Sequence, residues 1–484
     1  MDYTVKLGFV PSIRSRSGIS AWCDELRTRC IDALEGMEGI EVLYPTAAPD
    51  GKTVCGKQGH TTTGAVANLD EGDAVAEYFS REGVDGLILC SLNFGDERSC
   101  SNIAERLGVP VLVIATKEPE AMTNASLARL SDSYCGNLSI CSGLYRRSIP
   151  FYYAGIFFPE EDEFLAEVDV FARAVAAVKA LKGARIGQVG VRPETFETVG
   201  YDEVAMINKF GQNVIPCNVA DLKARANALA DDDPAVLAKA EAIRNSVVTA
   251  TVAEDYFVKA AKFELALTEF WQENKLSAMA VQCWATTREL FGISVCSSYG
   301  RMTEQGMLTA CETDVMGSLA MLTQYAAGRG ELAPHFIDWT IQHRENPNWL
   351  LAWHCGNAPA CLAADPSSTA LRSRPNMTGE LAPKECDLSA GLYQFQVKPG
   401  LVTFCRLQEY EGQWKMLIAT GEIVSSEETL AGTWGWVEVS DHAELYRTLV
   451  EEGFIHHANM IHGDQVDVLL EVCQFLDIEP VLVE

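Results

Sequence analysis

The segment TACETDVMGSLAMLTQYAA, residues 309–327, sets two carboxylates, Glu312 and Asp314, at the mouth of a strongly apolar run. Burying either charge beside Met316, Leu319, Met321 and Leu322 is costly unless a helix N-terminus, an arginine or a cation offsets it. If the stretch ACETD is the extended end of a strand, the two side chains share a face. Asp314 then has two readings: a cap on the helix that follows, worth ~1 kcal/mol, or a ligand to a cation. A second cluster, GFIHHANMIHGD, gathers His456, His457 and His462, and His354 stands in AWHCGNAPACLA, so these segments hold half of the eight histidines. Imidazole is the commonest nitrogen ligand for a divalent metal. Carboxylates joined to an imidazole make a mixed O/N site suited to Mn²⁺, with positions left open for substrate. His354, ahead of a Gly-Asn-Ala-Pro turn, either holds that turn by a hydrogen bond or contacts substrate. In VQCWATTRELFG, Gln282 and Trp284 close a strand, and Glu289 lies on the next helix, on a solvated face or turned toward Asp314.

The elements that must position these residues are α/β in their first two thirds. VKLGFVP, IEVLYP, VDGLILCSL and PVLVIAT read as strands, separated by the helical patterns ISAWCDELRTRCIDALEGM, GDAVAEYFSREG and NIAERLG. Such alternation implies a parallel sheet covered on both faces, with ligands bound at the carboxyl ends of its strands. Two of those ends carry unusual polarity, PSIRSRSG (with Arg14 and Arg16) and SLNFGDERS. The helix EEDEFLAEVDVFARAVAAVKALKG leads into a second unit, with strands ARIGQVGVRP, NVIPCN, LSAMAVQCW and GISVCSSYG around a helix-rich stretch. The Gly187–Arg192 turn lacks a third glycine, and no dinucleotide site is read there. From about residue 330 the texture becomes alternating, with Pro-Gly and Glu-Gly turns, which predicts an antiparallel sheet or small barrel closed by two helices and a strand. The expected domains are residues 1–170, 171–329 and 330–484.

Composition narrows the partners. A net charge of −29 excludes a nucleic-acid binder, which needs clustered Lys and Arg, and disfavours an anionic membrane surface. No apolar run is long enough to span a bilayer, and MDYTVKLGFVPSIRS lacks the features of a secretion signal. The 16 cysteines are dispersed inside apolar runs without a C-x-x-C pair, which reads as buried free thiols in a reducing cytoplasm and argues against disulfides or a thiolate zinc site.

In their order along the chain these motifs resemble the L-fucose/L-arabinose isomerase superfamily. ACETDVMGSLAML is similar to that family's T/C-E-x-D-x-x-G motif, with Glu289 lying 25 positions before Asp314. IHHANMIHGDQVDVLLEVCQFLDIEPVLV is similar to its terminal motif, with His457 ahead of the last helix. The resemblance implies two α/β domains followed by a β-rich domain, and aldose–ketose isomerisation of an open-chain sugar through a cis-enediol. It implies Mn²⁺, or Co²⁺ or Mg²⁺, held by Glu289, Asp314 and His457, with the two carboxylates as base and acid. Glu304 and Glu312 compete with Glu289 for the second carboxylate position. Glu312 and His456 fall behind the ligands; Gln282, Trp284, His354, Asn357, Arg14 and Arg16 are candidates for substrate contact. The family further implies a homotrimer or homohexamer. A metal-dependent epimerase or lyase, or a sugar-binding protein with a vestigial site, are the competing functions.

Overall fold

Residues 3–14, 19–48, 59–118, 131–373 and 389–483 are described by the computed structural model. Val5–Ser12 (β1), Ile40–Leu43 (β2), Gly86–Ser91 (β3), Val111–Thr116 (β4) and Tyr152–Phe157 (β5) form a parallel sheet in the order β2-β1-β3-β4-β5. The strands GLILCS and VLVIAT are buried at every position, as expected where helices cover both faces. The helices Ala21–Glu35, Leu69–Glu82 and Glu97–Leu107 start on Ser20, Asn68 and Asp96, whose side chains accept backbone N–H groups of the first turn. β5 and the helix Ser133–Tyr145 were not anticipated. That helix exposes Tyr134, Leu138 and Tyr145 while burying Ile140 and Leu144, so its apolar residues show no one-sided period.

Two compact units divide the chain near residue 180, with Leu470–Asp477 grouped with the first. In the second unit, Arg185–Val189 (β6), Asn213–Cys217 (β7), Ala278–Val281 (β9) and Thr309–Cys311 (β10) make another parallel sheet, ordered β10-β9-β6-β7. The two-residue strand Thr249–Ala250 (β8) lies apart from it. GISVCSSYG, expected to be a strand, instead runs into the helix Cys296–Glu304. Residues 296–303 of that helix are all buried, and a short run of buried residues carries no period to separate helix from strand.

The rest of the chain supplies His335–Gln342 (β11), Trp349–His354 (β12), Ala370–Ser373 (β13), Ala390–Gln396 (β14), Gly400–Tyr410 (β15), Gln413–Val424 (β16), Thr433–Glu438 (β17), His457–His462 (β18) and Glu479–Val483 (β19). With β8 they form a ten-stranded sheet, ordered β19-β16-β15-β18-β11-β12-β17-β14-β13-β8. The sheet is mixed rather than antiparallel, because β16–β19, β14–β17 and β13–β8 run parallel. It curls far enough for the end of β16 to pair β17 over three residues without forming a regular closed barrel. The β15–β16 hairpin turns on Glu411 and Gly412, both at positive φ (53° and 80°), the twist a two-residue connection requires.

Between these two sheets of the unit runs the helix Val315–Ala327, which packs against β9, β10, β15 and β18. Contact with both explains its sequence: nearly every side chain is buried, so it is apolar all round instead of amphipathic. Asn459 Nδ2 donates to Gly317 O (2.8 Å) and Gln324 Nε2 to Thr403 O (2.8 Å), tying the helix to β18 and β15.

Candidate active site

The strand β10 ends at Cys311, and the next two residues, Glu312 and Thr313, both adopt left-handed φ (60° and 59°). Each such non-glycine residue costs about 1–2 kcal/mol, and a β-branched threonine is a rare occupant of that region. The turn is held by Thr313 Oγ1 donating to Val191 O (3.1 Å) and Thr313 N to Val281 O (3.3 Å). ACETD is therefore not extended beyond its second residue, Cys311. The kink separates the two carboxylates that an extended segment would have left on one face.

Asp314 goes down into the protein. It caps the helix, Oδ1 accepting from Gly317 N (2.8 Å), and it pairs with the fully buried Arg406 of β15. Arg406 Nη1 donates to Oδ2 (2.5 Å) and Nη2 to Oδ1 (3.2 Å), while His457 Nδ1 donates to Oδ2 (2.8 Å). Each oxygen thus receives two donors. Burial pushes this carboxyl up, but the Arg406 charge and the His457 bond outweigh it and hold the group well below the usual carboxylate range. Gly317 is needed here: a Cβ would stand 2.5 Å from Phe336 Cε2 and 2.8 Å from Asp314 Oδ2.

Glu312 meets the other edge of the same imidazole. His457 Nε2 lies 3.0 Å from Glu312 Oε2, and Trp284 Nε1 donates to Glu312 Oε1 (2.9 Å). Burial raises the Glu312 carboxyl; the bond to His457, the fields of His354 and His457 and the Trp284 bond overcome that and bring it down to about 2. For His457, burial lowers the pKa, but Asp314, Glu312 and Asp338 together raise it to about 9. With both nitrogens protonated, the imidazolium bridges the two carboxylates.

Asp338 completes the cluster. It lies directly opposite His457 in the β11–β18 register, and its Oδ1 is 3.6 Å from His457 Nε2 and 3.9 Å from His354 Nε2. Oδ1 is buried and accepts no hydrogen bond. Three groups of side chains among the described residues could close around an ion: Cys283 with Cys311 and Glu312, Glu312 with His456 and His457, and Asp338 with His354 and His457; Glu312 and His457 each belong to two of them. Phe196 stands edge-on to Trp284, His456 and His457 (5.8, 5.1 and 6.2 Å between centroids) and makes an apolar wall. Trp284 and Gln282 also line an adjoining cleft of about 940 Å³.

Of the residues singled out from sequence, Trp284, Glu312, Asp314, His354, His456 and His457 come together here. Asn357 is buried, and among the described residues neither its side-chain oxygen nor its side-chain nitrogen has a hydrogen-bond partner. Glu289 is exposed on the short helix Thr286–Phe291, and Glu304 is exposed with Oε1 accepting from Cys361 N (3.2 Å). Arg14 belongs to the other compact unit, where it lies over the Phe94 ring (3.7 Å), and Arg16 falls outside the described residues. Asp338, Arg406 and Phe196 were not singled out. The first two had a signal. In PHFIDWTIQ the period of two puts Asp338 in phase with the buried Phe336, and Arg406 interrupts the apolar strand VTFCRL. Phe196, in an irregular loop, had none.

A buried imidazole gripped by carboxylates from separate elements lies at the carboxyl end of a parallel sheet, where ligands bind in such sheets. Two family profiles match the chain and together span more than half of it: the fucose/sulfoquinovose isomerase N-terminal domain at residues 39–182 and the L-fucose isomerase C-terminal domain at residues 352–483. The chain is similar to the sulfoquinovose isomerase of Alkalicoccus urumqiensis, 28% identical over 83% of this chain and 86% of the relative. It is similar also to those of Priestia aryabhattai (25%; 86% and 89%) and Clostridium sp. strain MSTE9 (24%; 81% and 85%). A solved periplasmic solute-binding protein from Actinobacillus succinogenes 130z aligns with 68% of this chain and 92% of its own, at 9% identity and a TM-score of 0.17, too low to bear on the fold. The chain belongs to the fucose isomerase superfamily and is an aldose–ketose isomerase. Among the described residues no helix is long and apolar enough to cross a membrane.

Proposed function

We propose that this enzyme interconverts sulfoquinovose (6-deoxy-6-sulfoglucose) and its ketose, using Mn²⁺ or a similar divalent ion held by Glu312, Asp338 and His457. The observation that carries the reading is the Asp338 Oδ1 atom, buried without a hydrogen bond beside His457 Nε2, itself 3.0 Å from Glu312. Two carboxylate oxygens and one imidazole nitrogen suit that class of ion. Bound there, it supplies Lewis-acid polarisation of the sugar carbonyl.

This ligand set differs from the one the sequence suggested. Glu289 is exposed, and the Asp314 oxygens are taken up by four donors. Asp314 instead receives the Nδ1–H of His457, which fixes the ring so that Nε2 faces Glu312 and Asp338. Ketose formation moves a proton between C2 and C1, and we assign the transfer to the Glu312 and Asp338 carboxylates. Trp284 holds Glu312 Oε1 in place. The Glu312 carboxylate is poorly basic while hydrogen-bonded to a protonated His457. Phe196 keeps water from one side, and Gln282, His354 and Asn357 are assigned to the sugar hydroxyls.

Incubating the purified protein with Mn²⁺ and sulfoquinovose in deuterated water tests this. Ketose should form, with deuterium entering C1 of the ketose and C2 of the recovered aldose. A protein that forms no ketose and exchanges no carbon-bound proton would sink the proposal.

A further inference from the structure

The cleft beside Trp284 holds a cation that the proton transfer does not use. Arg192, on the loop after β6, lines it together with Gln188, Tyr201, Gln282 and Trp284. Arg192 is the one lysine or arginine lining that cleft among the described residues; Glu194 and Glu203 line it too. Its Nη1 donates to two backbone carbonyls of its own loop, Pro193 O and Glu194 O (both 3.2 Å), which orients the guanidinium without neutralising it. Among the described residues Arg192 makes no ion pair, and its hydrogen bonds go only to those two carbonyls.

The cleft shares two residues with the surroundings of the reacting groups. Trp284 lines it and donates to Glu312 (2.9 Å), and Thr313, also in the lining, is bonded to Val191 O (3.1 Å), next to Arg192. Trp284 and Thr313 thus stand between Glu312 and a cleft of about 940 Å³ that Arg192 lines, the space toward which the far end of a sugar reacting at Glu312 would extend. A planar guanidinium fork matches the oxygens of a sulfonate. We propose that Arg192 recognises the anionic end of the substrate and sets the preference for a sulfonated over a neutral sugar. This rests on the isomerase reading above and names the residue behind its substrate class.

The test compares kcat/KM for sulfoquinovose and for 6-deoxyglucose, the same sugar without the sulfonate, with Mn²⁺ present. Arg192→Met should lower the sulfonate preference about 10- to 100-fold, chiefly through KM for sulfoquinovose. Arg288→Met serves as the comparison, since the Arg288 Nε is buried without a hydrogen bond but the residue does not line the cleft; it should keep the parental preference. Equal losses on both sugars in Arg192→Met, an unchanged preference, or a sulfonate-specific loss in Arg288→Met instead would each overturn the assignment. If the parent isomerises neither sugar, the isomerase reading itself fails, an outcome visible before any variant is made.

Discussion

Glu312 and Asp314 stand two residues apart and hold the same imidazole from opposite nitrogens, yet their replacement should have different consequences. Asp314→Asn leaves Arg406 buried without its counter-charge and weakens the hold on His457 Nδ1. Breaking such a buried pair should destabilise the protein by about 3–5 kcal/mol and loosen metal binding about 10- to 100-fold. Glu312→Gln removes a proton-transfer group but no comparable buried pair; it should stay folded and lose a factor of ~10²–10⁴ in kcat. Thermal melts of both variants, set beside their Mn²⁺ content and kcat, separate the two roles. An Asp314→Asn protein as stable as the parent would contradict the first. Glu289→Gln, at an exposed position, should keep both metal and activity. The sequence made the Glu312–Asp314 segment and the terminal histidines conspicuous because charged and titratable residues interrupt apolar runs there. It could not say which carboxylates meet His457. Glu289 to Asp314 is a span of 25 positions and Glu312 to Asp338 one of 26, so spacing cannot choose between them, whereas strand register can.

At the scale of elements, Asp338 and His457 are held by being cross-strand partners on β11 and β18, and a slip of one residue would turn Asp338 to the other face. Glu312 depends on a different device, the two consecutive left-handed residues after β10. Thr313→Gly relieves about 1 kcal/mol of strain and loses a hydrogen bond worth about as much, so its melting temperature should change little. Its kcat should fall, because Glu312 is no longer fixed by the bond from Thr313 to Val191. A Thr313→Gly enzyme with parental kcat would show that the turn does not position Glu312. Strands such as VLVIAT were legible because a sheet covered on both faces leaves continuous apolar runs. Ser133–Tyr145 and Cys296–Glu304 were not, the first because it splits its apolar residues between core and solvent, the second because it is buried all round. Mixed strand pairing in the large sheet depends on which distant strands meet, and local alternation carries no record of that.

For the whole molecule, acid stability should reflect His335. Burial drives this imidazole down to about 3, and its Nε2 sits 3.2 Å from Thr433 Oγ1. The folded value lies below the unfolded ~6.5, so its contribution is present above that pH and is lost as pH falls from there toward about 3; the full loss is on the order of several kcal/mol. His60, His442, His456 and His462 are lowered by burial too and act with the same sign. Glu312, depressed to about 2, adds a loss only below about pH 4. Denaturant melts between pH 7 and 4.5 should show falling stability, with a shallower slope in His335→Gln; identical slopes would remove His335 from the account. The atoms that would grip Mn²⁺ raise a question of timing. Glu312 and His457 are 145 residues apart, and Asp338 faces His457 only after β11 and β18 have paired. An unfolded chain gives the ion no site, and loop closure on that scale precedes any gain from binding. Mn²⁺ should therefore slow unfolding in stopped-flow experiments and leave the refolding rate unchanged, acting as a latch on a finished fold and not as its nucleus.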